Sequence, residues 1–197
     1  LQHDPAILRM LGGDRLPDPT TAGDFLRRFD DATNTGSLAA LRGAEDELQG
    51  RVWKRLRRAQ KKRLRLRGGL VLLDMDSKIR AFTGNQKERA DLSYKGTWSH
   101  HPLLLTCATT QEVVAVCNRS GNVVSADGAA AMLRQHLPRV KGGLGQPVVR
   151  MDAGFDTAAV RAACVEASAY FVQSAAGRRE RHQLVETVPD NGWTEWL

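Results

Sequence analysis

The sequence predicts a mixed α/β sheet of about five strands with helices packed on it, preceded by a small helical region. Three observations lead there. Residues 1–67 carry apolar side chains at helical spacing. A short apolar run at 70–73 has the length and glycine border of a buried strand, and 147–152 reads as a second central strand. From residue 69 the order of elements reads strand, hairpin, helix, strand, helix, strand, the grammar of a sheet with helices on it. The 197 residues, 42% hydrophobic and 26% charged, suffice for a real core in one domain with an extension or in two small ones. We divide them into a helical N-terminal region, 1–67, and an α/β region, 68–197.

In order along the chain, Pro5 opens a short helix with Ile7, Leu8 and Leu11 on one face, ended by Gly12-Gly13. Thr20 or Thr21 is placed to cap a second helix carrying Phe25, Leu26 and Phe29. A third runs from Ser37 toward Leu66 on a stripe of Leu38, Leu41, Leu48, Val52 and Leu56. Gly68-Gly69 breaks that pattern, and Leu70–Leu73 begins a strand that continues through Asp74, Met75 and Asp76. Residues 84–101 are polar and turn-rich and predict a long loop. Leu103–Thr109 and Val113–Asn118 form a hairpin. Asp127 caps a helix that Pro138 ends, Asp156 caps another, and 147–152 and 170–174 are strands.

The net charge of +7 becomes informative once located. Residues 1–50 hold five basic and nine acidic side chains, and residues 68–197 hold fourteen and thirteen. Residues 51–67 hold ten basic side chains and no acid. Such a segment predicts a polyanionic partner, nucleic acid above all, although a solvated linker helix has the same composition. Lys54, Arg55, Arg57, Arg58, Lys61, Lys62 and Arg63 are its candidate phosphate contacts. Arg119, at the end of the hairpin, could reach a phosphate or brace its own turn.

Several classes are excluded. No apolar run spans a bilayer, and the start lacks a secretory pattern. It also lacks methionine, which points to a piece of a longer protein, and three cysteines are too few and too odd in number for a disulfide scaffold, which fits the reducing cytoplasm. Cys107, Cys117 and Cys164 lack the spacing of a zinc ribbon, and the first two read as small core hydrophobes. No phosphate-binding loop, dinucleotide fingerprint or serine elbow occurs. His100-His101 reads as a surface pair rather than a metal site.

The chemistry gathers at carboxylates that end apolar strands. Asp74 and Asp76 are two apart and share a strand face, and Asp152 follows Val148-Val149 just before a turn at Gly154. Such ends, set side by side, repel unless a divalent cation joins them, and Mg²⁺ needs only one or two carboxylates. The competing reading is that Asp74 or Asp152 caps a turn.

Together, LLDMDS at 72–77, GNQ at 84–86, HPLLL at 101–105, RSGN at 119–122 and RMDAGF at 150–155 resemble bacterial insertion-sequence transposases of the DDE group 1 family. LPDPTTAGDFLRRF at 16–29 is similar to that family's segment before its catalytic domain. The resemblance implies a ribonuclease H-like fold and metal-dependent DNA cleavage and strand transfer with Mg²⁺ or Mn²⁺. It implies duplex DNA, at element ends and target, as partner, a second copy of the chain as a candidate partner, and a bacterial, nucleoid-associated location. The family's first catalytic acid falls on Asp76, which would bridge two metals, and its second on Asp152, which would bind one. Asp74 matches a further family acid. The third, a glutamate from a helix after the last core strand, has no evident place among Glu166, Glu180, Glu186 and Glu195. Gly84-Asn85-Gln86 also stands where the family has Gly-His-Gln. A truncated or decayed copy, inactive alone, is the expectation. The other readings are a non-catalytic DNA-binding remnant and a ribonuclease H-like metal nuclease.

Overall fold

The computed structural model describes residues 18–29, 36–60, 69–83, 87–88, 90–108, 110–175, 183 and 186–192. The helix expected at 5–11, the GNQ stretch at 84–86 and Lys61, Lys62 and Arg63 lie outside them. The chain divides into two compact units, Leu1–Leu56 and Arg57–Leu197.

In the first unit, α1 spans Pro19–Leu26 and continues as a 3₁₀ turn, Arg27–Phe29. Its cap is Asp18 rather than a threonine. The Asp18 carboxylate accepts from the Thr20 and Thr21 amides at 2.8 and 3.0 Å and from the Thr21 hydroxyl at 3.0 Å. Those bonds, Thr21's first, hold its carboxyl below the usual carboxylate range. Pro19 then takes the first helical position, where its missing N–H costs nothing. Helix α2 spans Ser37–Gln60, so that its last four residues fall in the second unit, and its Trp53 is buried.

The second unit is built on a five-stranded sheet. Strand β1 is Leu70–Ser77, β5 Leu103–Cys107, β6 Glu112–Cys117, β7 Gln146–Met151 and β8 Tyr170–Gln173, in the spatial order β6-β5-β1-β7-β8. β1 pairs antiparallel with β5 and parallel with β7, β5 pairs antiparallel with β6, and β7 pairs parallel with β8. This is the strand order of the ribonuclease H-like fold. Between β1 and β5 the chain forms a second small sheet from β2 (Arg80–Ala81), β3 (Asp91–Leu92) and β4 (Trp98–His100), ordered β2-β4-β3. A long loop was expected there. Strands of two or three residues are too short for alternation to show in a sequence.

Period-two alternation sets the core. Val71, Leu73 and Met75 of β1, Leu103, Leu105 and Cys107 of β5, and Val149 and Met151 of β7 are buried on one face. Helices α3 (Ala129–Gly143) and α4 (Ala158–Glu166) pack together on that face. The other face carries Leu70, Val113, Val116, Tyr170 and Val172, all exposed, beside Asp74 and Asp76.

Three expected helix limits are corrected. α3 continues through Pro138, because Leu137 and Val140 on either side of it are fully buried and hold both halves to the sheet. It begins after Gly128, at φ 72°, and has no side-chain cap from Asp127. α4 is capped by Thr157, whose hydroxyl accepts from the Val160 amide at 3.2 Å, while Asp156 pairs with Arg161. Either residue type can cap, so composition alone could not choose.

Burial pushes the Cys164 thiol up to about 11. Folded protein therefore keeps this proton where unfolded chain loses it. The resulting stability is whole below the ordinary thiol range and is lost as pH rises toward 11. At pH 8, iodoacetamide is expected to modify the half-buried Cys117 and to spare Cys107 and Cys164 until the protein unfolds, as peptide mass mapping would show.

Candidate metal and nucleic-acid site

The two central parallel strands bring Asp76 and Asp152 to the same end of the sheet. Asp74 pairs with Arg150 and Met75 with Met151 across β1 and β7. Asp76 and Asp152 each come one residue later, on strands spaced about 4.8 Å apart. Met75 and Met151 point into the core, so alternation sends the next residue of each strand to the other face. Asp152 keeps that alternation because its backbone is still extended, at φ −84° and ψ 179°. Both aspartates are exposed.

Each carboxylate is oriented by one backbone amide. Asp76 Oδ1 accepts from the Ser77 N–H at 2.7 Å, and Asp152 Oδ1 accepts from the Gly154 N–H at 2.8 Å. Among the described residues the second oxygen of each has no partner. Two exposed, oriented carboxylates with unused oxygens suit a hard divalent cation. No cluster of three or more His, Cys, Asp or Glu side chains gathers as a metal site among the described residues.

Gly154 belongs to this arrangement, and sequence reasoning noted it only as a turn. A Cβ there would lie 3.0 Å from Asp152 Oδ1 and 3.2 Å from Ser125 Cβ. A side chain at 154 would crowd the carboxylate it orients. The signal was available: glycine two residues after a strand-ending aspartate leaves the amide open to that aspartate.

Asp74 shares the face but is otherwise engaged. Both its oxygens accept from Arg150, at 2.7 Å from Nε and 2.9 Å from Nη2. This fork pairs residues 76 apart in sequence, directly opposite each other across two strands. The Arg150 guanidinium is held above its usual range by that hydrogen bond and by the charge behind it.

Glu166, a candidate third acid, sits elsewhere. It ends α4, which runs back antiparallel to β7, so it lies toward the opposite end of the sheet from Asp152. It is exposed and takes a two-pronged contact from Arg134 at 2.6 and 3.2 Å, which holds its carboxyl below the usual range. Glu186 is exposed, and Glu180 and Glu195 lie outside the described residues.

Arg119 is inside the fold, only 6% exposed. Its Nε donates to the His101 carbonyl at 2.8 Å, and Nη1 donates to the carbonyls of Val124, Ser125 and Asp127. Of the two roles open to it, the structure gives it the bracing of residues 124–127. Burial pushes its charge toward loss, and Asp127 opposes that. His101 is buried rather than on the surface, its Nδ1 donating to the Val123 carbonyl at 2.9 Å. His100 places Nε2 3.0 Å from the Glu88 carbonyl. Lys54 and Arg55 are exposed on α2, and Arg57 and Arg58 occupy its last turn.

The sheet and the paired strand ends define a ribonuclease H-like domain with carboxylates at the tips of its two central parallel strands. The sequence matches the family described as transposase DDE domain group 1 over residues 1–196, and the chain belongs to that family. No curated protein matches it in sequence. Two solved structures are similar to parts of it. One is the Mos1 transposase paired-end complex with left transposon end, at 11% identity and TM-score 0.38, covering 68% of this chain and 43% of that one. The other is a simian T-cell lymphotropic virus intasome in complex with PP2A regulatory subunit B56 gamma, at 12% identity and TM-score 0.34, covering 57% and 37%. This chain thus spans less than half the length of either. Among the described residues no helix is long and apolar enough to cross a membrane.

Proposed function

We propose that this chain carries part of a DNA transposase's catalytic apparatus, in which Asp76 and Asp152 hold divalent cations for phosphodiester cleavage and strand transfer. The observation that carries the reading is the register of β1 and β7, which brings two oriented carboxylates to adjoining strand tips. Mg²⁺ or Mn²⁺ bound there supplies charge stabilisation to the reacting phosphate oxygens. Ser77 and Gly154 aim the carboxylates through their amides, and Gly154 leaves the Asp152 oxygen uncrowded. Asp74 keeps Arg150 fixed beside the acids, so its metal role requires that fork to open. We take 1–67 as the DNA-contacting region and 68–197 as the catalytic one, in the bacterial cytoplasm on DNA.

Two carboxylates gather a cation, but a site short of one ligand holds a second ion in poor geometry. This chain by itself is therefore expected to retain at most residual Mn²⁺-dependent cleavage of duplex DNA and not to complete strand transfer. The test is strand transfer with a duplex bearing the element's own end, compared with a chain extended to a further glutamate-bearing helix. Equal rates would overturn the two-acid account and require a third acid within these 197 residues.

The basic segment supplies the affinity. If five of the ten charges at 51–67 meet phosphates, log K falls against log salt with a slope of about −4.5. Replacing Arg57, Arg58, Lys61 and Lys62 with glutamine is expected to flatten it by about three to four units. An unchanged slope in a fluorescence titration would reduce the segment to a solvated connector.

A further inference from the structure

Helix α2 carries a pattern that the metal site does not use. Leu41, Leu48 and Val52 are exposed, at 43%, 64% and 42%, although the neighbouring side of the helix buries Trp53. Together with Glu45 and Arg55 they fall at steps of four, three, four and three residues, the spacing of a two-helix seam. Three apolar side chains along one seam of a 24-residue helix need a cover.

The charges say what that cover is. Residues 37–48 hold three acids and one base, and residues 49–60 hold five bases and no acid. Two copies laid antiparallel set the acidic half of each against the basic half of the other. The seam itself is symmetric about position 50. Leu48 then meets Val52 of the second copy, Glu45 meets its Arg55, and Leu41 meets the position of Ala59. A parallel pair would instead set Glu45 against Glu45 and Arg55 against Arg55 inside the seam. Neither Glu45 nor Arg55 has an ion-pair partner among the described residues, whereas Glu47 is taken by Arg51 at 2.5 Å. From this self-complementarity we propose that α2 is an antiparallel homodimerisation helix, with Leu48–Val52 layers at its centre and Glu45–Arg55 pairs flanking them.

The experiment is sedimentation equilibrium of the full 197-residue chain across a concentration series, with circular dichroism to confirm folding. Wild type is expected to dimerise and Leu48→Asp to be monomeric with an unchanged spectrum. Glu45→Arg and Arg55→Glu singly should each weaken the dimer on the order of tenfold or more, because each sets like charges together twice. The double variant carrying both changes should recover wild-type association, since the exchange restores both pairs only when the helices run antiparallel. A monomeric wild type, four equally stable dimers, or single reversals that the double variant does not rescue would each overturn the proposal.

Discussion

Replacing Asp76 with alanine is expected to lower Mn²⁺-dependent cleavage of duplex DNA by at least about a hundredfold, since losing a ligand should exceed the cost of a 1 Å misplacement. Asp76 is exposed, and its one described contact is with the adjacent Ser77 amide, so the fold has little to lose. Single-turnover rates at saturating Mn²⁺ would measure the effect, with DNA affinity in EDTA as the control. That affinity should be unchanged if, as proposed, the basic segment and not the aspartate meets phosphates. A variant that cleaves at the wild-type rate would remove Asp76 from the chemistry.

Gly121→Ala is expected to be the most damaging small substitution in the sheet domain. A Cβ at 121 would stand 2.4 Å from Ser99 Oγ and 2.5 Å from the carbonyl oxygens of both Asp91 and Ser99. A hydroxyl can rotate away, but two backbone oxygens cannot move without opening the β3–β4 pairing. A loss of about 3 kcal/mol or more, the range of severe core lesions, would lower the melting temperature by roughly 6–12 °C for a chain of this size. Gly43→Ala makes the contrast. Nothing lies within 4 Å of that position in α2, so alanine should stabilise by up to about 1 kcal/mol. Thermal melts of the two variants should therefore move in opposite directions. Equal and small shifts would mean that residues 119–122 are not packed against the small sheet.

Much of this was legible in the residues. Gly68-Gly69 before an apolar run marked β1, and strict alternation put Asp74 and Asp76 on one face. What depended on distant partners was not legible. The fork between Asp74 and Arg150 follows from a register that only pairing of β1 with β7 defines, so Asp74 read alone resembled a free ligand. Arg119 read equally as a phosphate contact or as a brace, because the carbonyls of Val124, Ser125 and Asp127 converge on it only once the loop closes. Pro138 read as a stop because its penalty is local, while the burial that overrides it is tertiary. Gly121 carries no side chain to signal a role and matters through the atoms pressed against it.

The central claim is that the strand-tip carboxylates Asp76 and Asp152 form a cation site. Isothermal titration of the 197-residue chain with Mn²⁺ tests it most directly, because it needs neither DNA nor turnover. Measurable binding heat is expected for wild type, with its loss in Asp76→Ala and in Asp152→Ala and its retention in Asp74→Asn, where the wild-type carboxylate already serves Arg150. Wild-type heat from Asp76→Ala or from Asp152→Ala would contradict it.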